Sequence, residues 1–420
     1  MTDKPVSINI DRLRRDVEAL AAIGRGPDQG IYRMAFSEGD LAGRRWLQSQ
    51  IEAAHLDYFE DGAANQHGRL AWDGQSPSIM IGSHLDTVPG GGPLDGALGV
   101  LVGLEILRSI QESETPLRHP MEVVNFTDEE GRFGGLFGSQ AMAGQLTPAM
   151  IHEARDLEGV SLTEAMAAWG MDANAALFAR RPRDAIKAYL ELHIEQGPVL
   201  DRGDISIGVV EAITGLFKWE VTLKGQTNHA GTTPMHMRQD SFQGLAEFAF
   251  AIDRILEEHG SPHSRATIGR VELSPGAANT VPGSTAFSLD VRDTDADVLS
   301  NLSDAFRRTL SALARRRQLM FEFEVLSEIT PQRCDAGLVQ LLSDKARALD
   351  LKHMCLPSGA AHDAQIMASM TRTGMVFVPS IEGRSHSAAE WTNWEDIERG
   401  ANVLLQASLS LAVGTGETLR

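Results

Sequence analysis

The sequence predicts an α/β protein in which a mixed-sheet domain is interrupted by a smaller α+β insertion. Three observations carry this. The 420 residues exceed what one hydrophobic core usually fills, and an apolar fraction of 42% can fill two. Strand-like apolar runs alternate with helical periodicity early in the chain and again at its end. Between them, from about residue 211, the order of elements becomes β-α-β-β-α-β, the order of a ferredoxin-like unit.

Taken in order, residues 10–23 form an amphipathic helix, and residues 37–56 form another that opens on Ser37 and Asp40, an acidic start signal. Apolar runs at 78–82, 121–127 and 188–194 read as strands. The first two flank a helix at 97–111, with apolar residues at 100, 101, 104 and 107, so they make a βαβ unit. Such a sheet binds ligands beyond the carboxyl ends of its strands. In the insertion, strand-like segments at 209–224, 265–273, 284–292 and 321–326 are separated by helices at 241–259 and 296–316. The α/β pattern then resumes with helices at 336–349 and 362–370, a strand at 375–378 and a final helix at 394–411, before a frayed tail, GTGETLR. The expected division is residues 1–210 with 328–420, and residues 211–327 as the insert.

Composition excludes several classes. A formal charge of −19 disfavours nucleic acid and anionic membranes as partners, and no apolar run reaches the length of a membrane span. The N-terminus lacks the apolar stretch of a signal peptide, which makes a cytoplasmic location the expectation. Cys334 and Cys355 form no CxxC pair and are expected to be reduced.

The chemistry gathers in four segments: GSHLDTVPGGGPLDGALGV (82–100), NFTDEEGRFGG (125–135), ELHIEQGPVL (191–200) and GRSHSAAEW (383–391). In each, an imidazole or carboxylate stands at the end of an apolar strand or in the loop after it, so the four can converge on one point. His84, Asp95, Glu130, His193 and His386 suit zinc, manganese or cobalt, and without cysteine they do not suggest a closed structural zinc site. Five ligands serve two ions only if one carboxylate bridges. Asp95 is the natural bridge, because the glycines at 90–92 and Gly96 permit close approach. Singly, each residue has a plainer role: a rim histidine bonded to backbone, or Asp86 and Asp95 capping a turn or helix. Jointly they do not, since Asp128, Glu129 and Glu130 would repel one another without a cation among them.

These motifs resemble those of the M20 family of dinuclear metallohydrolases, and most closely its hydantoinase/carbamoylase branch. The resemblance runs from YRMAFSEGD (32–40) through the four segments, NHAGTTPM (228–235), PGAANTVPG (275–283), LDVRD (289–293) and SGAAHDAQ (358–365) to SHSAAEWT (385–392). HIEQGP and HAGTTPM separate this branch from peptidases and deacylases. The resemblance implies two divalent metal ions (Zn, Mn or Co), one held by His84, Asp95 and His193 and the other by Asp95, Glu130 and His386. It implies Glu129 as general base, and Asp86 as the carboxylate that fixes the His84 tautomer. His229 and Asn279 would reach the scissile carbonyl, Arg292 would bind a substrate carboxylate, and Gln196 with the Gly359–Ala360 turn would complete a ureido pocket. For Arg292 the plainer alternative is an ion pair with Asp290 or Asp293.

The implied protein is a metallohydrolase with an inserted dimerisation (lid) domain, a homodimer acting on a small carboxylate-bearing ureido substrate, with N-carbamoyl-L-amino acids first. Rotation of the two domains is expected near residues 208–215 and 327–331. Allantoate amidohydrolase and N-acyl-amino-acid deacylase are the rival activities, and a non-catalytic binding relative is the rival outside catalysis. Departures from the family pattern are local. SHSAAE stands for Ser-His-Asn-Pro-Ala-Glu, Ala361 for the common glycine, and Pro93-Leu94 precede Asp95. They bear on the substrate and remove no ligand.

Overall fold

A computed structural model describes residues 6–414, so the tail expected to fray lies, beyond Gly414, outside the described residues. The chain divides into two units, residues 1–211 with 334–420, and residues 212–333.

Nine strands form one sheet among the described residues, all but Gln332–Arg333 lying wholly or mostly in the larger unit. Asp57–Glu60, Gln66–Leu70, Met121–Phe126, Ser78–His84, Ile186–Ile194, Thr373–Val378, Ile207–Ile213 and Gln332–Arg333 lie side by side in that order, and His353–Ser358 pairs with Ile207–Ile213. The four central strands run parallel. Their residues are buried almost throughout, because helices cover both faces of a parallel sheet and leave no polar alternation in the sequence. Helix Ala97–Glu112 is correspondingly buried nearly all round. Its buried Glu105 is reached by Arg12 at 2.6 Å and by the Asn9 backbone N–H at 2.8 Å. Helix Glu38–Ala53 starts as the sequence signals, with the Ser37 hydroxyl accepting from the Asp40 N–H at 3.3 Å.

The smaller unit has a five-stranded antiparallel sheet in which Val271–Ser274, Ser284–Asp293, Gly215–Lys224 and Met320–Ile329 are neighbours in that order, with Arg265–Thr267 beside Ser284–Asp293. Burial alternates residue by residue along its two central strands. Phe217, Trp219, Val221, Leu223, Phe287, Leu289 and Val291 face the helices Ser241–His259 and Ala296–Arg317.

Two expected strands are each two. Residues 209–224 break at Thr214, where Ile207–Ile213 ends in the large sheet and Gly215–Lys224 begins in the small one. Residues 265–273 break into Arg265–Thr267 and Val271–Ser274. The apolar pattern runs on through both breaks, so periodicity alone does not mark a change of sheet or partner. The short strands Asp57–Glu60, Gln66–Leu70 and His353–Ser358 were not foreseen, nor were the short helices between residues 137 and 167.

Candidate metal centre and active site

The parallel strands bring the expected ligands together because they all end at one edge. His84 closes Ser78–His84, Glu129 and Glu130 follow Met121–Phe126, His193 lies one residue from the end of Ile186–Ile194, and His386 stands in the loop after Thr373–Val378. Asp95 precedes helix Ala97–Glu112. The ligand atoms of His84, Asp95 and His193 lie within 4.8 Å of one another, and so do those of Asp95, Glu130 and His386. The two groups use different oxygens of Asp95. Oδ1 stands 3.2 Å from His193 Nε2 and 3.9 Å from His84 Nε2, whereas Oδ2 stands 3.3 Å from His386 Nε2. Glu130 Oε2 is 3.7 Å from the same His386 nitrogen.

Backbone carbonyls orient two of the rings. His84 Nδ1 meets Asp86 O at 2.9 Å and His193 Nδ1 meets Ile194 O at 2.9 Å, which assigns the proton to Nδ1 and turns the Nε2 lone pairs toward Asp95. The expectation that the Asp86 carboxylate fixes the His84 tautomer is thereby corrected. It stands 3.8 Å away, and it instead accepts the N–H groups of Glu129 at 3.3 Å and Glu130 at 3.1 Å. Asp86 therefore shapes the acidic loop, while its own carbonyl holds the ring. Gly96, at φ +61, is obligatory, because a Cβ there would stand 2.3 Å from the His84 ring. Left-handed backbone at Asp128 (φ 54), Gln196 (φ 59) and His386 (φ 54) concentrates strain in the same place.

The electrostatics fit cations. Burial, reinforced by the charges of Glu130, Asp363, Asp86 and Asp95, pushes the Glu129 carboxyl well above its ordinary range. Burial does the same to Glu130, joined by Asp95 and Asp86. Burial opposes ionisation of Asp95 too, but the close imidazoles of His193 and His386 hold it well below. Glu130 Oε1 is buried with no hydrogen-bond partner. An imidazole and carboxylate set with an orphaned carboxylate oxygen fits two divalent ions sharing Asp95. Glu129 Oε2, 3.5 Å from His84 Nε2, belongs to neither group.

A third cluster, Glu191, His193 and His362, is also close enough to hold an ion. Glu191 is, however, saturated by Ser83 Oγ at 2.8 Å, Tyr189 OH at 2.9 Å and the Ala364 N–H at 3.0 Å, which marks a buried scaffold behind His193. His362 stacks edge-on against His193 at 4.5 Å and meets Ser358 Oγ at 2.8 Å, tying the Ser358–Gly359–Ala360 turn to the ligand. Glu390 was missed, although it lies inside the SHSAAEW motif. It accepts the N–H groups of Leu94 at 2.9 Å and Asp95 at 3.0 Å and the Ser385 hydroxyl at 3.0 Å, so it sets Asp95 and the His386 loop together. Its only signal was a carboxylate four residues after a candidate ligand.

Gln196 donates to Asp95 Oδ2 at 2.7 Å, which places it at the cluster. Three other expected substrate contacts, His229, Asn279 and Arg292, lie in the smaller unit. His229 pairs with Thr280 in a two-stranded ladder and its Nδ1 accepts from the Gly231 N–H at 3.1 Å, which leaves the proton on Nε2. Asn279 is exposed beside it. Arg292 lies on the face of the sheet away from the helices and bonds Asp290 at 2.9 Å and 3.3 Å, while Asp293 takes the hydroxyls of Ser261 and Ser264 instead.

A sheet edge that carries two adjoining imidazole and carboxylate groups around one aspartate is a frame for metal-dependent hydrolysis. The chain belongs to peptidase family M20/M25/M40, whose pattern matches residues 80–410. It is 38% identical over 410 residues to an N-carbamoyl-L-amino acid amidohydrolase of Geobacillus stearothermophilus, covering 96% of this chain and 99% of that one. It is 36% identical over 400 residues to an allantoate amidohydrolase of Escherichia coli, covering 94% and 96%. Among solved structures, an amidase of the hydantoinase/carbamoylase family from Burkholderia multivorans superimposes with a TM-score of 0.89 at 34% identity, covering 97% of this chain and 99% of that one.

Proposed function

We propose that the protein is a metal-dependent amidohydrolase that cleaves the ureido C–N bonds of N-carbamoyl-L-amino acids, giving the amino acid, ammonia and carbon dioxide. The observation that carries this is Asp95, whose two oxygens face two separate ligand groups, while Glu129 stands 3.5 Å from His84 and belongs to neither group. The Geobacillus relative supplies the substrate class. His84, Asp95 and His193 would hold one divalent ion, and Asp95, Glu130 and His386 the other. Such ions raise the acidity of water and polarise a carbonyl oxygen. Glu129 takes a proton from the attacking water and hands it to the leaving nitrogen. His229, protonated on Nε2, donates to the oxyanion, with Asn279 at its side. Arg292 exchanges Asp290 for the substrate carboxylate, a bidentate partner of the same geometry. Gln196 and the Gly359–Ala360 turn contact the ureido group.

The smaller unit is read as the dimerisation and lid domain of a cytoplasmic homodimer, and sedimentation of a fully active monomer would overturn the dimer. For the reaction, the test is ammonia release by protein loaded with zinc, manganese or cobalt, beside Glu129→Gln. The variant should keep its metal content and lose about 10²- to 10⁴-fold in kcat. Full activity in it would remove Glu129 as the base, and turnover of allantoate alone would move the protein to the Escherichia coli relative's reaction.

A further inference from the structure

The larger unit has a second feature at the metal centre that the reaction leaves unused. A cavity of about 500 Å³ opens beside Asp86 and Glu130, walled by Met34, Phe36, Val88, Pro89 and Leu157. Its polar neighbours are already committed. Arg132 bonds Asp156 at 3.0 Å and 3.2 Å and the Ala35 carbonyl at 2.7 Å, Thr87 Oγ1 donates to the Ile31 carbonyl at 3.2 Å, and Ser37 Oγ caps a helix. What remains is an apolar wall with the Glu158 carboxylate at its rim. The cavity's one cation, Arg132, is held by Asp156 and by the Ala35 carbonyl, so the wall offers little to a substrate carboxylate or to a second ureido group. Leu157 is fully exposed at 107%, and Phe36 is held at φ 58, a costly conformation for a bulky residue, at the base of the same wall. An exposed leucine and a strained phenylalanine framing a hole next to a candidate ligand are features that ligand burial would explain.

Resting on the carbamoyl hydrolase reading, we propose that this cavity receives the substrate's side chain, and that the enzyme acts on N-carbamoyl-L-amino acids with long neutral apolar side chains. Each methylene buried there raises kcat/KM by about fourfold. An acidic side chain meets Glu158, an apolar wall and an Arg132 already neutralised by Asp156, and allantoate would place its polar second ureido arm against mostly apolar surface.

The test compares kcat/KM of the metal-loaded protein for the N-carbamoyl derivatives of L-alanine, L-methionine, L-phenylalanine and L-aspartate, and for allantoate. The methionine and phenylalanine compounds should exceed alanine by at least about tenfold, with aspartate and allantoate below alanine. In Met34→Asp the methionine-to-alanine ratio should fall about tenfold, mainly through KM. Leu157→Glu, at a site where folding is indifferent to the side chain, should lower that ratio in the same direction. Carbamoyl turnover with a flat side-chain series, or unchanged ratios in both variants, would overturn the pocket and leave the reaction standing. If no carbamoyl amino acid is hydrolysed, the reaction falls first and the pocket with it.

Discussion

The two units differ most in where they put charge. The larger buries Arg33, Asp40, Arg44, His67, Asp86, Asp95, Glu105, Glu122, Asp128, Glu191, His193, Asp363 and Glu390, among others. The smaller, described in full, buries one charged side chain, Asp293, and packs its core from Phe217, Trp219, Phe248, Phe287 and Phe306. Burying a charge is costly unless partners or a ligand compensate, whereas an aromatic core is stabilising by itself. The contrast separates a unit shaped by chemistry from one shaped by packing, and four measurements probe it.

The largest effect is expected at the bridge. Asp95→Asn should bring ammonia release below detection and strip bound metal, read by mass spectrometry, because an NH2 donor then stands where one of the two acceptor oxygens was. Retained stoichiometric metal would break the assignment. Next is the aromatic core. Phe306→Ala, which removes a buried ring 5.8 Å from Phe248 and 6.4 Å from Phe217, should cost about 4 kcal/mol in urea unfolding.

Third is a buried charge remote from the metal ligands. Glu122 meets Arg181 at 2.7 Å, His67 at 3.0 Å and Arg69 at 3.2 Å. Burial alone would raise its carboxyl, but the His67 hydrogen bond and the neighbouring charges hold it well below the ordinary range. The unfolded chain then binds more protons at acid pH, so this stabilisation is present above the unfolded value near about 4.3 and is lost as pH falls. Glu122→Gln should cost about 3 kcal/mol at pH 7, and the gap to the parent should narrow in acid below about pH 4. Smallest is the exposed pair Lys224–Glu322, at 2.5 Å, where Lys224→Ala should shift stability by no more than about 0.5 kcal/mol.

The same contrast explains what could be read from the sequence. The candidate ligands were legible because His84, Glu130 and His193 close or follow apolar runs that read as doubly covered strands, and parallel strands share one end. The pairing of Asp86 was not, because both its carboxylate and its carbonyl are in reach of the site and only coordinates show which one meets His84. Glu390 stayed hidden because its work is done on backbone N–H groups, which leave no trace in side-chain spacing. Asp57–Glu60 and Gln66–Leu70 were missed because DYFE and QHGRL owe their strand conformation to ladder pairing, the first with the second and the second with residues 121–125, rather than to local pattern.

The break at Thr214 has a further consequence. Ala212 pairs with Arg333 and Ile213 with Gln332, while the Glu211 carbonyl accepts from the Cys334 N–H at 3.0 Å. The chain thus leaves and returns along two adjoining antiparallel strands, as in a hairpin whose turn has been replaced by a whole folded unit. Loop-closure entropy grows only slowly with length and the ladder at its base already fixes the ends, so residues can be gained or lost inside the excursion without altering the register of the strands that carry it.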